Sequence, residues 1–172
     1  YEDIPAYAVA AMISIEDKKF YRHNGIDVKA IMRAARAMIE NGEVTQGGST
    51  ITQQLAKLVF LTQERTWERK IEEMFIAVGL ERVYSKDKIM EFYLNNVYFG
   101  NGYYGIQAAS KGYFNLDAKN LTLSQITFLC AIPNNPSLYD PVTKMDNTIK
   151  RRDRILYQML EDGKISQTTC EQ

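Results

Sequence analysis

A chain of 172 residues has the length for one domain with a real core, and 45% hydrophobic with 24% charged residues is the make-up of a folded globular protein. Lys plus Arg and Asp plus Glu both total 21, which excludes a bulk-charge nucleic-acid binder and an acidic tail, so any electrostatic effect is local. A single histidine and two cysteines, Cys130 and Cys170, without ligand spacing exclude a disulfide scaffold, a zinc cluster and most histidine-based metal sites.

Helix signals dominate in chain order. Asp3 can cap a first helix with Pro5 in its first turn, running to about Glu16. Asp27 can cap a second, in which Ile31, Ala34, Ala35 and Met38 repeat at helical spacing before Gly42. Ser49 is the expected cap of a third, with Ile51, Leu55, Leu58 and Val59 on one face. Thr66 is the expected cap of a fourth, carrying Trp67, Ile71, Met74, Phe75 and Val78. Ser85, Thr122 and Asp146 head three further helices, and Pro133 and Pro136 punctuate a loop between the last two. Strand-like alternation is weak throughout, so the expected class is mainly α. No apolar run approaches the roughly 20 residues that cross a bilayer. The chain opens on Tyr1 and shows no signal peptide, so the expectation is one domain over residues 1–172, cut from a longer protein.

Three constellations can carry chemistry. Glu16 and Asp17 end an apolar helix just before His23 and Gly25. A carboxylate where a helix meets a loop can protrude into a cleft, where desolvation makes it a better base; a solvated helix end fits the same spacing. Next, Gly47 and Gly48 precede Ser49 and Thr50 at a helix start, where free backbone N–H groups and the helix dipole suit an anion. Gln53 and Lys57 lie off the apolar stripe and offer an amide and an ammonium group, although a capped helix with a polar face reads equally well. In the third, Arg65 is followed by Arg69, Lys70 and Glu73. Ile76 and Leu80 share Glu73's side of the helix, so this carboxylate needs a cation, and Arg69 or Lys70 can supply it. An ionised Glu73 is expected to hold Arg69 in one rotamer; a purely structural ion pair is the alternative. Ser85-Lys86-Asp87-Lys88 matches S-x-x-K, but neither S-D-N nor K-T-G follows, which leaves Ser85 as a helix cap.

In this order the segments resemble glycosyltransferase family 51, the peptidoglycan polymerase domain of class A penicillin-binding proteins and monofunctional transglycosylases. E-D-x-x-F-x-x-H-x-G is met by Glu16, Asp17, Phe20, His23 and Gly25, and G-G-S-T-x-x-Q-Q-x-x-K by Gly47 to Thr50, Gln53, Gln54 and Lys57. R-K-x-x-E is met by Arg69, Lys70 and Glu73, and E-x-Y-L-N-x-x-Y-x-G by Glu91, Tyr93, Leu94, Asn95, Tyr98 and Gly100. R-R-x-x-V-L is met by Arg151, Arg152 and Leu156, with Ile155 in place of Val. The resemblance spans about residues 3 to 160.

The resemblance implies a lysozyme-like helical domain with a large lobe and a smaller membrane-apposed lobe. It implies that lipid II and the growing lipid-linked glycan are the substrates, with undecaprenyl pyrophosphate leaving. Glu16 is then the general base and Glu73 the second essential carboxylate. Lys57 and Arg65 hold the donor pyrophosphate with Arg69 and Lys70 nearby, while Asp17, Ser49, Thr50, Gln53 and Gln54 belong to the substrate site. No cofactor is required, although a divalent cation, Mg2+ or Mn2+, can assist at the pyrophosphate. The same resemblance implies the extracytoplasmic face of a bacterial membrane, an N-terminal anchor and a C-terminal transpeptidase domain, and no nucleic acid. A lysozyme-like lytic enzyme has no use for pyrophosphate-binding cations, and a non-catalytic scaffold has no use for both carboxylates beside them. The helix after Asp27 has Val28, Ile31, Ala35 and Met38 opposite Lys29, Arg33 and Arg36, which suits an anionic lipid surface or a core-packed helix with a solvated basic face.

Overall fold

A computed structural model describes residues 3–41, 48–60 and 66–171. Arg65 and Gly47, both expected at the site, lie outside the described residues. The described residues are mostly helical and contain no strand, only an isolated bridge between Tyr98 and Tyr104. The chain divides into two compact units: a central one over residues 16–93, and a terminal one built from residues 1–15 and 94–172.

In the central unit, Asp27 caps α2 (Val28–Asn41) by accepting the Ala30 N–H at 3.1 Å. Burial works against ionised Asp27, yet that N–H and the Lys19 ammonium at 3.3 Å win and hold its carboxyl below the ordinary value. The helices α3 (Ile51–Phe60) and α4 (Trp67–Val83) pack on each other. Thr66 caps α4 by accepting the Arg69 N–H, and Ser85 caps α5 (Lys86–Asn96) by accepting the Lys88 N–H. Phe20, Ile51, Leu55, Ala77, Ile89 and Met90 are buried here.

Gly25 docks its loop onto α4. Its φ of +97° lies in the region that glycine tolerates, and a Cβ there would sit 2.7 Å from the carbonyl carbon and oxygen of Ala77. Only hydrogen fits.

The terminal unit holds α1 (Ala6–Glu16) up to Ile15, α6 (Ile106–Phe114), a 3-10 turn over Ala118–Asn120, α7 (Leu123–Ala131), α8 (Met145–Glu161) and α9 (Gln167–Glu171). α7 packs on α8, with Ile126, Leu129, Ile155 and Met159 buried. A capping box formed by Thr122 and Gln125 starts α7. Two expected starts shift: Pro5 rather than Asp3 precedes α1 and takes the Ala8 N–H on its carbonyl, and Asp146 lies in the first turn of α8 without capping it. The helix α6 was not expected, because it opens on Gly105 with no side-chain cap and carries Gly112 inside.

Polarity is inverted on α4. Trp67, Ile71 and Phe75, four residues apart, are 70%, 52% and 76% exposed. Glu73 and Ala77 are buried instead, and the Glu81 side chain, four residues further on, is 5% exposed. On α2, Val28, Met32 and Ile39 are exposed and Ala30 is buried.

Candidate active site

The cap of α3 is Thr50, not Ser49. Thr50 Oγ1 accepts the Gln53 N–H at 3.1 Å while Gln53 Oε1 accepts the Thr50 N–H at 3.0 Å, a reciprocal capping box. Asp17 Oδ2 accepts the Ile51 N–H at 3.0 Å. The N–H groups of Thr50, Ile51 and Gln53 are thus taken by side chains of the same unit. The Thr50 hydroxyl also donates to the Gly25 carbonyl at 2.6 Å, which ties the Gly25 loop to the helix start.

Asp17, Thr50 and Gln53 are 7%, 2% and 0% exposed. The structure places these three inside the central unit. Buried there, each side chain has polar atoms that need partners out of water, and each finds them in the protein. Thus Asp17 also takes a hydrogen bond from His23 Nε2 at 2.7 Å, while His23 Nδ1 accepts the Gly25 N–H at 3.1 Å, which fixes the ring's tautomer.

Consecutive glutamines on α3 point about 100° apart, and each reaches a different carboxylate. Gln53 Nε2 donates to Glu73 Oε1 at 3.3 Å, and Gln54 Nε2 donates to Glu16 Oε2 at 3.3 Å. The two acids have different surroundings. Glu73 is 5% exposed and paired with Lys70, whose ammonium also donates to Ser49 Oγ at 2.6 Å. Glu16, at the end of α1, is half-buried. Glu16 is thus only partly covered, whereas Glu73 is enclosed.

The expected Arg69–Glu73 pair is corrected. Arg69 reaches Glu72 at 2.9 Å, because residues three apart on a helix lie on adjacent ridges and Glu72 is on the exposed side. Lys70 takes the buried acid, and its flexible stem lets the charge stay one-third exposed. Lys57 lies half-buried in the last turn of α3, where the helix dipole favours a cation, and it pairs with no described residue. Among the described residues no group of three His, Cys, Asp or Glu side chains could hold a metal ion.

A second buried network escaped the sequence reading. Lys86 donates to Glu81 at 2.6 Å and to the His23 carbonyl at 2.7 Å, and Thr52 Oγ1 donates to Glu81 at 2.6 Å. A signal was available in the spacing of Glu73, Ala77 and Glu81, which share one face of α4. Tyr93, noted only as a motif position, is fully buried and donates to Gln54 Oε1 at 3.0 Å.

Residues 1–160 match the family described as Transglycosylase. The chain is 52% identical over 164 residues to penicillin-binding protein 1F of Bacillus subtilis, covering 95% of this chain and 23% of that protein. It is 44% identical to penicillin-binding protein 1A of Aquifex aeolicus and 42% identical to that of Escherichia coli, covering 99% of this chain in both and 24% and 20% of those proteins. The crystal structure of penicillin-binding protein 1A from Haemophilus influenzae is similar over 76% of this chain and 16% of its own, with a TM-score of 0.49 and 24% identity. The chain thus spans about a quarter or less of the length of these relatives. With a family match over nearly its whole length, the chain belongs to the transglycosylase family, glycosyltransferase family 51, whose members here are class A penicillin-binding proteins.

Proposed function

We propose that the chain is a peptidoglycan glycosyltransferase domain that polymerises lipid II at the extracytoplasmic face of a bacterial membrane. The observation that carries this is the contrast between a half-buried Glu16, oriented by an amide, and an enclosed Glu73, tied to a lysine. The acceptor's 4-hydroxyl attacks C1 of the donor MurNAc, its proton passes to Glu16, and the C1–O bond electrons leave with undecaprenyl pyrophosphate. The anomeric centre inverts. A sugar hydroxyl is a weak nucleophile until a base takes its proton, a contribution of about 10²–10⁴ in rate. The leaving pyrophosphate gathers negative charge, which fixed cations stabilise: Lys57, Arg69 and Lys70, with Arg65 outside the described residues. Ser49 and Gln54 stand beside this set and are partly exposed. No step here is assigned to a divalent cation.

The exposed apolar residues of the central unit, Val59 and Phe60 on α3 with Trp67, Ile71 and Phe75 on α4, support docking on the lipid surface that carries such a substrate. No helix of the described residues is long and apolar enough to cross a membrane. An N-terminal anchor and a C-terminal transpeptidase domain fit the remaining length of the relatives.

The test is incubation of the purified protein with lipid II and separation of polymer from monomer. Polymer is expected from the wild type and none from Glu16→Gln, with an unchanged unfolding curve. A Glu16→Gln variant that polymerises at wild-type rate removes Glu16 as the base, and cleavage of finished glycan by the wild type would establish the lytic reading.

A further inference from the structure

We propose that Tyr93 is a positioning residue for the general base, acting on Glu16 through Gln54; this rests on the role given to Glu16 above. Three observations combine. Tyr93 is 0% exposed, so its hydroxyl cannot touch a substrate. That hydroxyl donates to Gln54 Oε1 at 3.0 Å. The other end of the same amide, Gln54 Nε2, donates to Glu16 Oε2 at 3.3 Å.

An amide has one accepting end and one donating end. Turned over, Gln54 would set its oxygen against the Glu16 carboxylate, acceptor against acceptor, and its NH2 against the phenol proton. The phenol and the carboxylate therefore select the same orientation. Tyr93 is itself held by α5, where Ile89 and Met90 one turn earlier are fully buried. Gln54 follows Gln53, whose side chain is locked in the capping box of α3. The base thus takes its bearing from two helices by way of one amide.

Removing the phenol oxygen leaves Gln54 Oε1 without this donor and frees the amide to rotate, so the carboxylate loses its fixed direction towards the hydroxyl it must deprotonate. Tyr93→Phe keeps the ring and its packing. Small misplacements of a catalytic group and loss of the partners that orient it each cost about 10-fold to 100-fold. The effect falls on kcat, with KM unchanged, because no substrate contact is removed.

The test is a double-mutant cycle in the lipid II polymerisation assay, with Tyr93→Phe, Gln54→Leu, the double variant and Glu16→Gln measured per folded molecule. Tyr93→Phe is expected to lower kcat about 10-fold to 100-fold at wild-type KM and with an unchanged melting midpoint. In the Gln54→Leu background it should cost nothing further, because its route to Glu16 is already cut. Multiplying losses in the double variant, a rise in KM alone, or wild-type kcat in Tyr93→Phe each overturn the inference. Should Tyr93→Phe fold poorly, wild-type kcat in Gln54→Leu still overturns the inference, because the route from Tyr93 to Glu16 runs through that amide. An active Glu16→Gln refutes the general-base reading itself; an inactive Glu16→Gln beside an unaffected Tyr93→Phe refutes only the positioning role.

Discussion

Replacing Glu73 with Gln removes one negative charge and leaves the side chain's volume in place. In the wild type this carboxylate, 7% exposed at the side chain, receives Lys70 and the Gln53 amide. Breaking a fully buried ion pair costs about 3–5 kcal/mol, because the remaining charge is stranded. Lys70 is not stranded. Its side chain is 33% exposed and it keeps the Ser49 hydroxyl at 2.6 Å. The Gln53 amide also keeps an oxygen to donate to. The loss is then nearer that of a hydrogen bond to a charged group, about 2 kcal/mol. For a chain of 172 residues this corresponds to roughly 4–8 °C in Tm. Turnover should fall by about 10²–10³, because Lys70 keeps only the Ser49 hydroxyl and loses the charged partner that holds its ammonium in one position. The assay pairs thermal unfolding with lipid II polymerisation on the same preparation. Destabilisation of about 4 kcal/mol with full activity per folded molecule would refute the reasoning and leave Glu73 as a structural ion only.

Other expectations are as direct. Lys57→Ala should lower turnover about 10²–10³, and the deficit should shrink with a donor lacking the pyrophosphate; equal deficits on both donors would make Lys57 structural. Gly25→Ala adds a methyl at 2.7 Å from the Ala77 backbone at a φ of +97°, and should cost about 2–5 kcal/mol in chemical denaturation, a cost that a wild-type midpoint would disprove. Phe75→Glu, 76% exposed on α4, should weaken binding to anionic lipid vesicles in a flotation assay without altering the unfolding curve; undiminished flotation would mean that this face does not meet lipid.

The helix starts at Asp27, Thr66, Ser85 and Thr122 were legible because a short polar side chain before an apolar run has one dominant use, and the structure shows each taking an N–H of the first turn. α6 was not, because glycine supplies backbone freedom without a capping group to announce it. At the candidate site, the partners of the two carboxylates were not legible. Arg69 and Lys70 are equally good partners for Glu73 on a wheel; what separates them is that Lys70 has Ser49 across the α3 start and Arg69 has Glu72 on the outside. The glycine-led start of α3 gave no sign that Asp17, more than thirty residues earlier, takes the Ile51 N–H. Long-range closure of this kind leaves no periodic trace in a sequence.

The outward apolar row on α4 bears on how stability is measured. Trp67, Ile71 and Phe75 form an exposed apolar row, and an amphiphile that binds this row binds only the folded helix. Such an amphiphile acts as a ligand of the native state and raises its apparent stability by RT ln(1 + [L]/Kd), about 2.7 kcal/mol at a hundredfold excess over Kd. That is as large as the effect expected for Glu73→Gln. A detergent chosen to keep the protein dispersed therefore enters every melting temperature as a hidden reactant, and variants that alter α4 change its affinity as well as the fold. Titrating the detergent, and extrapolating each variant to zero concentration, separates the two contributions.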